Sequence, residues 1–160
     1  MAVSVEIRLK TIEVYIKRRH GKTRNTTPRE EQVIDVYANR VVQYVKDNWP
    51  VDTGTSRDRW LFEYKATAGR LSLFIENPMY YSEYVHRSGG SPENPLWVRL
   101  VPEAWSIVKE SMLSDVKRQI NATERALERR QSAGQRRSPG LLDLIRRPDL
   151  VDLIGGMFGG

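Results

Sequence analysis

Residues 49 to 59 read Trp-Pro-Val-Asp-Thr-Gly-Thr-Ser-Arg-Asp-Arg and hold most of what a hydrolytic loop requires. Thr53 and Ser56 are hydroxyl nucleophiles, and Asp52 and Asp58 flank them around Gly54. Serine chemistry also needs a general base within hydrogen-bond reach, and many hydrolases hold the nucleophile on a strained elbow. No G-x-S-x-G elbow is present, and the base would have to be His20 or His86, each without a recognisable frame. Two-carboxylate chemistry would draw on Asp52, Asp58, Glu63 and Glu76 converging in a cleft. Asp58, however, lies in an Arg-Asp-Arg triplet whose cations account for it as a solvated pair. Two scattered histidines and no cysteine argue against a His/Cys metal centre, and there is no G-x-x-x-x-G-K-[ST] phosphate loop. The expectation is a chain with no catalytic residues, no metal site and no cofactor.

The second group with chemical potential is Tyr80, Tyr81 and Tyr84, interleaved with Ser82 and Glu83. Such a cluster can stack the bases of a single strand when cations surround it. It can equally pack a short helix against a sheet and offer hydroxyls to an interface, which is the reading favoured. His86, two residues on, reads as packed or interfacial.

The 160 residues suit one domain with an appendage. Hydrophobic residues make up 39%, below the ~45–50% of compact domains, so part of the chain should lie outside the core or fold against a partner. The formal charge of +6 is segregated. Arg8 to Arg24 holds seven basic residues and one acidic, and Lys117 to Arg147 nine basic and three acidic, leaving the rest acidic. Arg18, Arg19, Lys22, Arg24, Arg129, Arg130, Arg136 and Arg137 are the candidate contacts to DNA or to an acidic protein surface. The N-terminus lacks a signal-peptide apolar run, and no stretch approaches the ~20 apolar residues that cross a bilayer. A soluble protein made inside the cell, without membrane contact, is the expectation.

These groups need elements to position them. Val3, Val5, Ile7 and Leu9 alternate with polar residues as a half-buried strand. The phase shifts near Lys10-Thr11, which predicts a bulge, a turn or a change of period, and residues 17 to 25 read as a basic loop. Thr27-Pro28-Arg29-Glu30 predicts a capped helix start. Val33, Val36, Tyr37, Val41, Tyr44 and Val45 form its apolar face, and Trp49-Pro50 ends it near Asn48. Residues 60–67 and 70–77 predict a hairpin about Ala68-Gly69. Residues 78–90 offer one or two tyrosine-rich helical turns. Residues 96–100 read as a further strand or an extended approach. Pro102 should open a long helix with a stripe of Trp105, Val108, Met112, Val116 and Ile120. Past residue 130 come two apolar clusters, Leu141, Leu142, Leu144 and Ile145, then Leu150, Val151, Leu153 and Ile154. They should dock on the domain or on a neighbouring subunit. The predicted fold is α+β: a small antiparallel sheet on two helices over 1–130, with a docking tail over 131–160.

The order of these elements resembles the neck and tail-completion family of long-tailed phages, the "putative tail component" proteins. The resemblance spans roughly residues 28 to 120. Its first box is Pro50-Val51-Asp52-Thr53-Gly54. The second, after a hairpin, runs from Asn77 through Tyr80, Tyr81, Tyr84 and Val85 to Gly89. The chain departs from the family at Ser82, where alanine is common, at His86, where an acid is common, and at Ser88-Gly89-Gly90. The resemblance implies a virion protein at the head–tail junction, assembled in the bacterial cytoplasm. It would act as a homo-oligomeric ring between head-closure or connector proteins and the tail terminator or tail tube, with DNA possible in its lumen. Tail terminators and other connector rings are the alternative within that class. A basic nucleic-acid-binding module is the alternative outside it.

Overall fold

The computed structural model describes residues 2–50, 55–79, 82, 85 and 95–137, with side chains to residue 135. The fold is α+β: β1 (Val3–Arg8), α1 (Lys10–His20), α2 (Pro28–Asn48), α3 (Thr55–Asp58), β2 (Leu61–Thr67), β3 (Arg70–Asn77) and α4 (Leu96–Arg137). The chain forms two compact units, residues 1–122 and 123–160.

In the first unit, one antiparallel sheet has the order β1-β3-β2. β3 takes the centre because its apolar residues serve both neighbours. Ile75 faces Val5 and Phe62, and Leu73 faces Ile7 and Tyr64. Leu71, Leu73 and Ile75 are fully buried on this face. The opposite face is a lattice of polar pairs. The Ser72 hydroxyl donates to Glu6 at 2.8 Å, the Ser4 hydroxyl to Glu76 at 2.8 Å, and Arg70 pairs with Glu6 at 3.1 Å. The Ser72 hydrogen bond, then the Arg70 guanidinium, hold the Glu6 carboxyl below its ordinary pKa. The hairpin turn places Ala68 and Gly69 at φ +51° and +79°, as a two-residue loop requires. A Cβ at Gly69 would lie 2.9 Å from Thr23 Cβ, and its N–H donates to Asn25 Oδ1 at 2.9 Å, so the 23–25 loop pins the turn.

Residues 17 to 25, expected as a loop, begin inside a helix. The phase shift at Lys10-Thr11 is a change from strand to helix period. Ile12 and Ile16, one turn apart, are fully buried beside Leu9, while Val14 is 59% exposed. Gly21 ends α1 at φ +83°, donating to the Lys17 carbonyl at 2.9 Å, a left-handed cap that carries no Cβ penalty in glycine.

α2 starts and stops where its local signals place it. Thr27 Oγ1 accepts from Glu30 N at 3.4 Å, and Glu30 Oε2 accepts from Thr27 N at 2.8 Å. Its buried face differs from the predicted one. Ile34, Ala38 and Val42 join Tyr37, Val41 and Val45, while Val36 is 51% exposed and Val33 and Tyr44 are only half-buried. The sheet and α4 select this face. Tyr37 donates to Asp115, and Tyr44 donates to Glu103 at 2.6 Å, so α2 and α4 run antiparallel. The Asp115 hydrogen bond, then burial, raise the Tyr37 pKa above 10.0.

Neither a strand nor an extended segment precedes Pro102. α4 begins at Leu96 and carries Pro102 inside it. Proline removes the bond to the carbonyl four residues back and crowds it, a cost of roughly 3 kcal/mol in a helix interior. That carbonyl belongs to Val98, a residue that is 44% exposed. Burial of Leu96, Leu100, Val101 and Ala104 at helical spacing offsets the loss. Val108, Met112, Val116 and Ile120 are buried as the stripe predicts, with Leu113 added and Trp105 half-buried. In the second unit the helix continues to Arg137, and residues 125 to 135 are exposed.

Glu30 has no exposure and lies in an ion pair: Arg24 Nη1 and Nη2 reach its two oxygens at 2.9 Å each. Removing one partner of such a pair leaves an uncompensated buried charge. Glu30→Ala should therefore cost about 3 kcal/mol in urea unfolding, whereas Glu30→Gln, which keeps an acceptor for Thr27, costs less. Tyr64 supplies a second test. Burial pushes its phenol from 10.0 up to about 12, with the Thr26 hydroxyl at 2.7 Å pulling the other way. The folded state disfavours phenolate, so this stability is complete below pH 10 and is lost as pH rises toward about 12. Unfolding measured across that window should steepen in the wild type and flatten in Tyr64→Phe.

Candidate functional site

α2 ends because Trp49 turns extended before Pro50, which places the Trp49 indole inward, 3% exposed. It meets Trp60 edge to face, with ring centroids 5.0 Å apart at 73°. Between the two tryptophans, residues 55 to 58 form α3, a single helical turn. That turn buries Ser56. The Ser56 Oγ accepts from Trp49 Nε1 at 3.1 Å and shares a hydrogen bond with the Ser82 hydroxyl at 2.9 Å. The Ser56 carbonyl accepts from Asn77 Nδ2 at 2.8 Å, and Asn77 Oδ1 accepts from Met79 N at 3.1 Å. Asn77 and Ser82 have no exposure. Ser82 N donates to the Met79 carbonyl at 3.0 Å, and the Val85 carbonyl accepts from Leu96 N at 2.9 Å at the start of α4.

These bonds join the C-terminus of α2, α3, the end of β3, residues Met79, Ser82 and Val85, and the N-terminus of α4. Trp49 and Ser56, which flank the first sequence box, thus meet Asn77 and Ser82 of the second stretch at one buried polar junction. Ser56, considered for nucleophilic chemistry, has its hydroxyl engaged by an indole N–H and a second serine. Ser82 occupies a position where the resembled family often has alanine, and its hydroxyl completes the junction. Neither serine is identifiable as a junction residue from sequence, because their partners lie 7, 21 and 26 residues away. Asn77 and Val85 are the described members that the second box singles out. Asp52, Thr53, Gly54, Tyr80, Tyr81, Tyr84, His86 and Gly89 lie outside the described residues.

Of the carboxylates weighed for hydrolysis, the three among the described residues, Asp58, Glu63 and Glu76, are dispersed. Asp58 pairs with Arg57 at 3.1 Å on the surface. Glu63 pairs with Lys65 at 3.2 Å, and Glu76 accepts from Ser4 on the polar face of the sheet. Among the described residues, no group of three or more His, Asp or Glu side chains could hold a metal ion, and no helix is long and apolar enough to cross a membrane.

The basic candidates differ in environment. Arg24 is committed to Glu30 within the fold. Arg19 Nε donates to Asn121 Oδ1 at 2.9 Å while remaining exposed. Arg18 and Lys22 are exposed, as are Arg129 and Arg130 in the second unit. Arg136 and Arg137 are helical, with side chains outside the described residues, and Leu141, Leu142, Leu144, Ile145, Leu150, Leu153 and Ile154 lie outside them altogether. Sequence reasoning passed over Lys10 and Lys117. With Arg18 they rim a surface groove of about 310 Å³ between α1 and α4, walled by Thr11, Val14 and Tyr15.

No family model, curated protein or solved structure matches the chain.

Asn77→Ala removes the buried donor to the Ser56 carbonyl and the acceptor for the half-buried Met79 N. It should cost about 3 kcal/mol, chiefly because the buried Ser56 carbonyl loses its partner. Ser82→Ala removes one hydroxyl and should cost about 1 kcal/mol. Chemical-denaturation midpoints at constant m give the two values.

Proposed function

We propose that the protein is a structural component of a phage virion that completes the neck or the tail end as a ring joining head to tail. The observation that carries this reading is the buried junction. Trp49 and Ser56, on either side of the first box of the tail-completion resemblance, are stitched to Asn77 and Ser82 in the second stretch. Buried side chains spent on each other fix the relative positions of helix ends and strand ends. That suits a subunit whose task is to present surfaces to neighbours. The exposed basic residues of α1 and the apolar C-terminal clusters supply contacts of two kinds, charged and apolar, as a subunit between unlike partners needs. The partners in this reading are copies of the chain itself, a connector or head-closure ring, and a tail terminator or tail tube.

Deleting the reading frame from a phage that carries it should leave filled heads and free tails that do not join. Electron microscopy of the wild-type particle should show a ring of this protein at the junction. Joined particles in the deletion, or absence of the protein from purified virions, overturn the proposal.

A further inference from the structure

The groove between α1 and α4 combines an apolar floor with a cationic rim. Val14, which lines it, is 59% exposed on a helix whose two isoleucines are fully buried. Tyr15 forms a fixed wall, its hydroxyl donating to Asn121 Oδ1 at 2.9 Å and its ring lying 5.4 Å from Lys117 Nζ. Lys10 and Arg18, two turns apart, lie on the same side of α1 as Val14. The groove is lined by three cations and no carboxylate, and among the described residues none of the three forms a salt bridge. A phosphate backbone would satisfy the cations but leave Val14 uncovered. The groove calls for an apolar segment that carries a negative charge.

The chain contains such a segment twice. Leu141-Leu142-Asp143-Leu144-Ile145 and Leu150-Val151-Asp152-Leu153-Ile154 are one pentapeptide pattern, L-[LV]-D-L-I, repeated at an interval of nine residues. Each sets a single carboxylate among four large aliphatic side chains. Both fall in the 23 residues that follow Arg137. Short peptides of this kind bind by apolar anchors, with charge giving specificity.

We propose that the L-[LV]-D-L-I segments of one copy dock in the α1–α4 groove of a second copy, aliphatic side chains on Val14 and Tyr15 and the aspartate toward Lys10, Arg18 and Lys117. Two equivalent motifs on one tail double the chance that a groove is filled, and they allow one tail to engage two neighbours. The contact would serve the ring proposed above. It is scored on the isolated chain, however, so it can fail while the virion role stands, and the reverse.

The test uses a fluorescein-labelled peptide of residues 139–156. The receptor is the full-length chain carrying Asp143→Lys and Asp152→Lys, whose own tail then competes less well for the groove. Saturable anisotropy change is expected. Val14→Asp or Arg18→Glu in that receptor should weaken binding about tenfold, and both residues are exposed enough that melting temperature should hold. Val36→Asp, at the separate α2–α4 groove that contains Asp115, should leave binding unchanged. A peptide with Asp143→Lys alone should bind about twofold more weakly, and with both aspartates reversed about tenfold more weakly. Sedimentation of the unmodified chain should show concentration-dependent self-association that Val14→Asp removes. No peptide binding, binding indifferent to Val14→Asp and Arg18→Glu, or a monomeric wild type at all concentrations overturns the proposal. So does a DNA duplex that binds through Lys10 and Arg18 where the peptide does not.

Discussion

Asn77 ends the central strand with no exposure, and an amide in that position must find its partners within the protein. It finds the Ser56 carbonyl on one side and the Met79 N–H on the other. Meeting that demand draws α3 beneath the Trp49–Trp60 pair and holds the chain after β3 against it. Ser56 then presents its hydroxyl to Trp49 and Ser82. Through Val85 the same segment hands its carbonyl to the first residue of α4. The start of α4 is thereby tied to the polar junction as well as to the apolar core.

At the other end of α2 a second buried polar site does comparable work. Glu30 closes the capping box and takes both nitrogens of Arg24, so one carboxylate fixes the helix start and the loop before it. That loop in turn supports the hairpin turn through Asn25 and Thr23. Between the two polar ends lies a continuous apolar interior, with Ile12, Ile34, Val41, Leu73, Met112 and Ile120 fully buried. Buried polar groups of this sort specify one arrangement among the many that an apolar core would tolerate.

The surface is organised in the same spirit. Of the acidic side chains of the sheet, Glu6 and Glu63 pair with Arg70 and Lys65, and Glu6 and Glu76 accept from serine hydroxyls. On α1, Glu13 binds Arg8 and the Leu71 N–H, which turns the helix's one acid toward the sheet. The outward side of α1 is left basic around an exposed valine. Segregated charge in the sequence thus becomes, in the fold, a face with a definite chemistry. The reading of the protein as an assembly component rests on such faces and on the buried junction together.

Much of this architecture was legible in the sequence wherever the signal acts within a few residues. Thr27, Pro28 and Glu30 set the start of α2 through their own hydrogen bonds, Trp49-Pro50 ended it by local sterics, and Ala68-Gly69 made the hairpin turn. Those features hold whatever surrounds them. Where two local rules competed, packing decided. Pro102 signals a helix start, yet burial of Leu96 and Leu100 carries α4 back through it. Val36 looked like a core residue of α2, but Ile34, Ala38 and Val42 were the ones that met the sheet and α4. The basic run after Ile16 looked like loop, although Ile12 and Ile16 were enough to hold α1 in place. The tertiary structure alone brought Ser56, Asn77 and Ser82 together, because a buried hydrogen bond depends on which distant group arrives within 3 Å, and no spacing along the chain encodes that.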